Sequence, residues 1–313
     1  MFTFICLTYN HEGFIIEHLE SIKFLIEKFG QGLVINLLII DDQSNDSTVK
    51  LSEKWIDLNN YLFNETKFIK NDRNFGINYN YAKALKLVNT ENFKLLAGDD
   101  LYYKNDLFKT INFDYDFLVT KPLKFNYHNG IMYPEKIDFK IKKISRVHKH
   151  ILNDPLFTAP TIFLKSRIFD SRYYKYLAQY KNFEDYPTWI YLFSLKKQNI
   201  KYKFIKKIYI LYRVGVGISS QYNTSEARVQ LKDDAELFYR KMNIILENKK
   251  NYISILLKKY LNPKNYYLKF LSEIHKLIIS QQFLLSIYNN INPYKKHYLL
   301  IKSKADKFLR DYL

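Results

Sequence analysis

The chain has 313 residues, 47% of them hydrophobic, with one cysteine and a formal net charge of +18. That length and apolar content exclude a disordered chain or a disulfide-stapled miniprotein, and they allow one large domain or two smaller ones. The longest apolar run, Leu33 to Ile40, is interrupted by Asn36 and falls far short of the ~20 residues that cross a bilayer.

Cys6 has no partner for an internal disulfide, and Met1-Phe2-Thr3 lacks the basic start of a secretory signal, so a cytoplasmic, reducing setting is expected. The lysine excess attracts anions: nucleotides, nucleic acid or an anionic lipid surface. In a chain also rich in Asn, Ile, Tyr and Phe, it equally fits an AT-rich coding sequence.

In chain order, residues 2 to 8 (FTFICLT) read as a strand, and Ile15, Leu19, Ile22, Ile26 and Phe29 follow at helical spacing up to Gly30. A second strand, Leu33 to Ile40, runs into the cap-rich turn DDQSNDS and a helix to about Leu58. A third strand lies near Lys67 to Lys70. A helix carrying Tyr81, Ala82, Leu85 and Val88 then leads to a fourth strand, Phe93 to Ala97. This β-α alternation predicts an α/β, Rossmann-like fold: a mostly parallel sheet flanked by helices, with right-handed crossovers. From about residue 116 the texture changes to short strands and turns, including Asp116 to Leu123 and a hairpin signal at Asn129-Gly130. Beyond 223 it is helical, with a break at Asn262-Pro263. The expected organisation is a unit over 1–222, with a nucleotide-binding half (1–115) and an acceptor half (116–222), then a C-terminal α-helical extension over 223–313.

Two of these strands end on paired carboxylates, Asp41-Asp42 and Asp99-Asp100. Charges at the carboxyl edge of a parallel sheet lie where such folds bind ligands. In LLAGDD, Gly98 permits close backbone approach. Adjacent carboxylates diverge, so one can face a hard cation and the other a ribose hydroxyl. A capped turn is the bland reading of either pair.

The segments CLTYNHE (6–12), IIDDQSNDST (39–48), NFGINYNYAKAL (74–85), LLAGDD (95–100) and FEDYPTW (183–189) occur in an order and spacing that resembles family 2 glycosyltransferases of the GT-A fold, of bacterial surface-polysaccharide type. The resemblance covers roughly residues 1 to 220. It implies a nucleotide pocket lined by Thr8, Tyr9 and Asn10, with Asp42 accepting from a uracil imide beside Asp41, and Asn74 and Gly76 forming a turn next to the nucleotide. It further implies that Asp99 and Asp100 bind a divalent cation, Mn2+ or Mg2+, with Asp100 the direct ligand. Asp185 becomes the general base and Glu184 its neighbour that orients acceptor or base. Arg213, in YRVGVGISS, would contact the diphosphate, with Ser219 or Ser220 a weaker contact. That loop departs from the family pattern, carrying Gly215 and Gly217 about Val216 where many relatives place a His.

The implied activity is inverting, metal-dependent transfer of a sugar from a nucleotide-sugar donor, UDP-linked, to a hydroxyl of a glycan or lipid-linked acceptor. No covalent nucleophile is evident, in keeping with single displacement. One rival is a sugar-phosphate nucleotidyltransferase, whose Gly-rich, basic opening is lacking in TYNHEGF. The other is a nucleic-acid binder, which gives no reason for acidic strand ends. No nucleic-acid partner is therefore expected. No phosphate-binding Gly-Lys loop, zinc spacing or nucleophile elbow occurs, and His148 and His150 read as surface residues. The basic, aromatic C-terminal helices suit a cap on the catalytic unit, a homodimer contact, or peripheral contact with an anionic membrane at its inner face.

Overall fold

The structure is a computed structural model that describes residues 1–111, 115–121, 123–126, 132–134, 159–192, 200–217, 225–246 and 293–312. The Asn129-Gly130 signal, His148, His150, Ser219, Ser220 and the Asn262-Pro263 break lie outside the described residues.

The first hundred residues form β1 (Phe2–Thr8), α1 (Ile15–Phe29), β2 (Ile35–Asp41), α2 (Thr48–Asn59), β3 (Glu65–Lys70), α3 (Ile77–Leu87) and β4 (Asn92–Ala97). β1 lies between β2 and β4 and is parallel to both, with Thr8 opposite Asp41 and Leu7 opposite Ala97. All three strands therefore stop at one edge. Every residue of β1 and β2 is buried, as continuous apolar strands covered on two faces require. Alternation sorts them: Ile5, Leu7, Leu38 and Ile40 pack on one face, and Phe4, Cys6, Leu37 and Ile39 on the other.

β2 begins two residues later than its apolar run suggests. Gly32 takes φ +75 and Leu33 N donates to Gly30 O at 2.9 Å, so Leu33 and Val34 sit in a turn with their side chains in solvent.

The later strands are β5 (Leu101–Tyr102), β6 (Phe117–Val119), β7 (Leu123–Asn126), β8 (Met132–Pro134), β9 (Ile162–Lys165), β10 (Tyr202–Phe204) and β11 (Ile210–Val214). The helices are α4 (Phe108–Ile111), α5 (Ser171–Leu177), α6 (Asp185–Ile190) and α7 (Glu226–Leu246), and a last helix spans 293–312. The large sheet runs β10-β6-β9-β4-β1-β2-β3, with β9 antiparallel to both neighbours, and β5-β11-β7-β8 form a second sheet. The stretch 116–123 is split between the two sheets. Thr120 N and Oγ1 both donate to Thr161 O at 2.8 Å and Lys121 N donates to Lys207 O at 3.1 Å, which turns the chain out of the first sheet.

The last helix buries Ile301, Ala305 and Phe308 and packs on the α1 side of the sheet and on the small sheet, where Tyr298 meets Phe125 at 5.1 Å. The His297 ring nitrogen bonds Tyr102 O at 3.1 Å, and burial pushes this histidine down to about 4. Its inner face thus covers the back of the strand edge described next.

Candidate active site

The loops that follow β1, β2, β3 and β4 form one rim. Asp42 N donates to Thr8 O and Gly98 N to Leu7 O, both at 2.9 Å, continuing the ladders past the last strand residues. The first two loops are laced together. Asn10, at φ 53, accepts from Asn45 N through Oδ1 at 2.8 Å, and its own N–H donates to Ser44 Oγ at 2.8 Å. His11 N donates to Thr48 Oγ1 at 2.7 Å, Glu12 N to Asp46 Oδ2 at 3.0 Å, and Ser47 N to Glu12 Oε2 at 2.9 Å. Tyr9 is left projecting from the rim, 41% exposed.

The first acidic pair is committed to this rim. Asp41 accepts from Ser44 N at 2.8 Å and Ser44 Oγ at 2.5 Å. Asp42 accepts from Phe75 N and Gly76 N at 2.8 Å and from Asn71 Nδ2 at 2.9 Å. Those are three of the roughly four acceptor positions a carboxylate offers, so Asp42 can take one further donor. Gln43 bonds the same turn, accepting from Asn74 N and donating to Asp72 O. Gly76, at φ +86, is walled by Lys181 and Asn182; a Cβ there would lie 2.8 Å from Lys181 O. Asn74 and Gly76 are thereby fixed against Asp42.

The second pair is differently supplied. Asp99 and Asp100 are buried, and Asp100 is 1% exposed. Gly98 allows this turn to sit against the first loop: a Cβ on it would lie 3.0 Å from His11 Nδ1 and 3.2 Å from Thr8 Oγ1. Arg213 N donates to Asp100 Oδ1 at 2.8 Å, Arg213 Nε to Asp99 O at 2.7 Å, and Arg213 Nη2 to Glu17 Oε2 at 2.5 Å. The guanidinium lies between the rings of Phe14 and Phe125, and Lys302 of the last helix stands 3.7 Å from Glu17. The charged head of Arg213 therefore faces the back of the turn. His18 is held neutral, pushed down to about 4 by burial, and its Nδ1–H donates to Asp100 O at 2.8 Å.

Burial, and then the Asp99 charge, raise the Asp100 carboxyl well above the usual carboxylate range despite Arg213. The second negative charge is therefore unfavourable here without a further cation, and the pair's hard oxygens fit Mn2+ or Mg2+. Among the described residues no cluster of three His, Cys, Asp or Glu side chains forms a complete protein cage. Such a cation would take its remaining ligands from phosphate and water, as Mg2+ commonly does.

Glu184 and Asp185 open α6. Glu184 O accepts from Thr188 N at 3.1 Å and Thr188 Oγ1 at 2.6 Å, and Thr188 Oγ1 also bonds Tyr173 OH at 2.8 Å. Both carboxylates line a small cavity walled by Tyr81, Phe93, Leu95, Ile162 and Trp189. This apolar wall pushes Glu184 up to about 7 by desolvation. β4 joins the two acidic regions: Phe93 and Leu95 form the cavity wall, and Asp99-Asp100 follow the same strand's end.

Sequence reasoning missed Glu17, His18 and Lys94. Lys94, within β4, is 1% exposed and feels the charges of both Asp100 and Asp185. A lysine inside the apolar run FKLLA is the signal that could have revealed it.

Residues 3–198 match the family described as Glycosyl transferase family 2. Over 233 residues the chain is 26% identical to an uncharacterised glycosyltransferase of Mycoplasma genitalium, spanning 72% of this chain and 74% of that protein. S. aureus TarS 1–349, solved in complex with UDP-GlcNAc, is similar with TM-score 0.55 at 19% identity, covering 83% of this chain and 71% of that one. The mannosyltransferase PcManGT from Pyrobaculum calidifontis, solved with GDP-Man and Mn2+, is similar with TM-score 0.50 at 13% identity, covering 100% of this chain and 88% of that one. These likenesses carry the fold, which is GT-A. The family match spans both acidic strand ends and the Glu184-Asp185 pair: the chain belongs to glycosyl transferase family 2 and is a glycosyltransferase.

Proposed function

We propose that the chain is an inverting, metal-dependent transferase that moves a sugar from a UDP-linked donor to a hydroxyl of a glycan or lipid-linked acceptor in surface-polysaccharide synthesis, with 1–222 as its catalytic unit. The observation that carries this reading is that β4 ends at a buried carboxylate pair, Asp99-Asp100, and lends Phe93 and Leu95 to the apolar cavity in which α6 places Glu184 and Asp185.

Asp99 and Asp100 would hold the cation, which when bound neutralises the departing diphosphate. Thr8, Tyr9, Asn10, Asp41 and the Asn74–Gly76 turn form the nucleotide rim, and the remaining acceptor position on Asp42 suits a uracil imide N–H. Asp185 takes the proton from the acceptor hydroxyl as its oxygen bonds to the anomeric carbon; the bond from that carbon to the diphosphate breaks, and the nucleoside diphosphate leaves. Glu184, with its carboxyl raised to about 7, orients acceptor or base in the same cavity. The assignment of Arg213 changes with its position: it backs the Asp99-Asp100 turn.

Peripheral contact with an anionic membrane is supported by the outer face of 293–312, where Lys295, Lys296, Lys307 and Arg310 are exposed beside Leu299 and Leu300. No helix among the described residues is long and apolar enough to cross a membrane.

The test is a nucleotide-release screen over UDP- and GDP-sugars with Mn2+, Mg2+ or chelator. Asp100→Asn and Asp185→Asn each lose turnover by on the order of a hundredfold or more, and Asp185→Asn keeps its affinity for UDP. Undiminished turnover in Asp185→Asn removes that residue as base, and turnover unaffected by chelator removes the cation.

A further inference from the structure

Lys94 is a buried ammonium that the proposed chemistry does not use. It sits in β4, and its Nζ donates to Ile162 O at 2.8 Å and Ala159 O at 3.3 Å, with the Phe163 ring centroid 5.1 Å away. Its location has a specific topological cause. The antiparallel ladder between β4 and β9 runs Asn92↔Lys165 and Phe93↔Leu164 and then stops. The register would next set Lys94 opposite Phe163 and Leu95 opposite Ile162; Phe163 and Ile162 keep their pairing with β6 on the other edge of β9, and the Ile162 carbonyl receives the Lys94 ammonium. Leu95, Ala159 and Ile162, the residues about this opening, line the cavity that contains Glu184 and Asp185. The ammonium therefore satisfies the carbonyls freed where β4 and β9 part, at the point where their parting makes room for the cavity.

We propose that Lys94 is a positioning residue for the proton-abstracting carboxylate: it keeps β4 and β9 apart at the sheet's carboxyl edge and sets an ammonium group behind the cavity of Asp185. This rests on the reading of Asp185 as base. Burial pushes Lys94 down to about 7, and the charges of Asp100 and Asp185 oppose that fall. By reciprocity the ammonium favours the ionised form of Asp185. Titratable groups near Asp185 include Glu184 on its own helix, Tyr81 from α3, and Tyr173 from α5, which is bonded to Thr188. Lys94 is a cation whose charge couples to Asp185 through the sheet.

Two variants separate the strand contact from the charge. Lys94→Gln keeps a donor for the carbonyls and loses the charge; Lys94→Met loses both. With aspartate carboxyls labelled with 13C and the Asp185 signal assigned through Asp185→Asn, Asp185 should ionise about half to one pH unit higher in Lys94→Gln than in wild type. The acid limb of nucleotide release should move up by the same amount, with affinity for UDP unchanged. Lys94→Met should add a fall in turnover through collapse of the opening. An unmoved Asp185 titration in folded Lys94→Gln overturns the proposal, as does loss of UDP affinity in step with turnover. Failure of both variants to fold assigns the lysine to the fold alone and overturns it too. The parent reading fails separately, through an active Asp185→Asn enzyme, whatever Lys94→Gln does.

Discussion

Arg213→Met tests the back of the Asp99-Asp100 turn most directly. The substitution keeps the aliphatic packing between Phe14 and Phe125 and leaves the Arg213 N–H on Asp100 intact, because that donor is backbone. What it removes is the 2.5 Å pair with Glu17 and the 2.7 Å bond to Asp99 O. Glu17 is 6% exposed and, among the described residues, would keep Lys302, at 3.7 Å, as its cationic partner. Stranding one partner of a buried ion pair costs about 3–5 kcal/mol, and the remaining lysine places the expected loss near the lower figure. At about 2–4 °C per kcal/mol for a chain of this size class, melting should fall by roughly 6–12 °C. Adding Glu17→Gln removes the stranded charge, so the double variant should regain more than half of that loss. Thermal melting of the four proteins in the cycle measures the coupling, and UDP titration reports on the turn. An unchanged melting temperature with donor KM raised about tenfold would refute this reasoning and return Arg213 to the diphosphate, where the sequence resemblance puts it.

Gly76→Ala forces a left-handed residue and a Cβ 2.8 Å from Lys181 O, so a loss of about 2–4 kcal/mol and weaker UDP binding are expected in melting and titration experiments. Asp42→Leu strands the Phe75 and Gly76 N–H groups while Asn71 keeps Asn80 Oδ1 at 2.7 Å, which should cost about 2–4 kcal/mol in denaturant unfolding. Glu184 has a folded-state value near 7, above its ordinary range, so the folded state binds the extra proton and wild-type stability falls as pH rises from about 4.5 through 7. Glu184→Gln mimics the protonated form: it should raise stability at pH 8 by about 3 kcal/mol and change little at pH 4, and equal effects at both values would contradict the assignment.

The first hundred residues were legible because each parallel strand is buried on both faces and announces itself as an apolar run, and each intervening helix shows its spacing. β1 was read to the residue. β2 was read two residues early, since Leu33 and Val34 have strand-like side chains in a position fixed by the backbone of Gly32. β9 was not legible as an antiparallel insertion between β4 and β6: four buried residues look alike in either direction. The two strand-end acidic pairs could be located from sequence, and their partners could not. Arg213 meets Glu17 across 196 positions, and the donors on Asp42 come from a turn more than thirty residues on. Neither spacing follows any local period. Glu17, His18 and Glu20 were invisible for a related reason. α1 is buried on its polar side too, by Arg213, by the Asp100 carbonyl and by the Trp55 indole, so amphipathic spacing reported only half of its contacts.

The same residue pair at two strand ends of one sheet edge acquires different properties, and the difference lies in hydrogen-bond supply. Asp41 and Asp42 accept five hydrogen bonds from backbone, hydroxyl and amide donors, none of them carrying a formal charge. That many donors can stabilise two buried carboxylates without a cation, at the cost of fixing the loop after β2 to the loop after β3. Asp99 and Asp100 lie one strand away from β2, with β1 between. Their cationic neighbours, Arg213 and Lys94, both have other attachments, to Glu17 and to the carbonyls of Ala159 and Ile162. Neither ammonium nor guanidinium forms an ion pair with the Asp100 carboxylate among the described contacts. On the proposed reading, a divided supply of this kind would leave the second pair able to take up a cation, whereas full pairing with Arg213 would have filled the site with protein charge. The first pair would then shape the base-binding edge through bonds within the protein, and the second would leave room for charge brought by the donor.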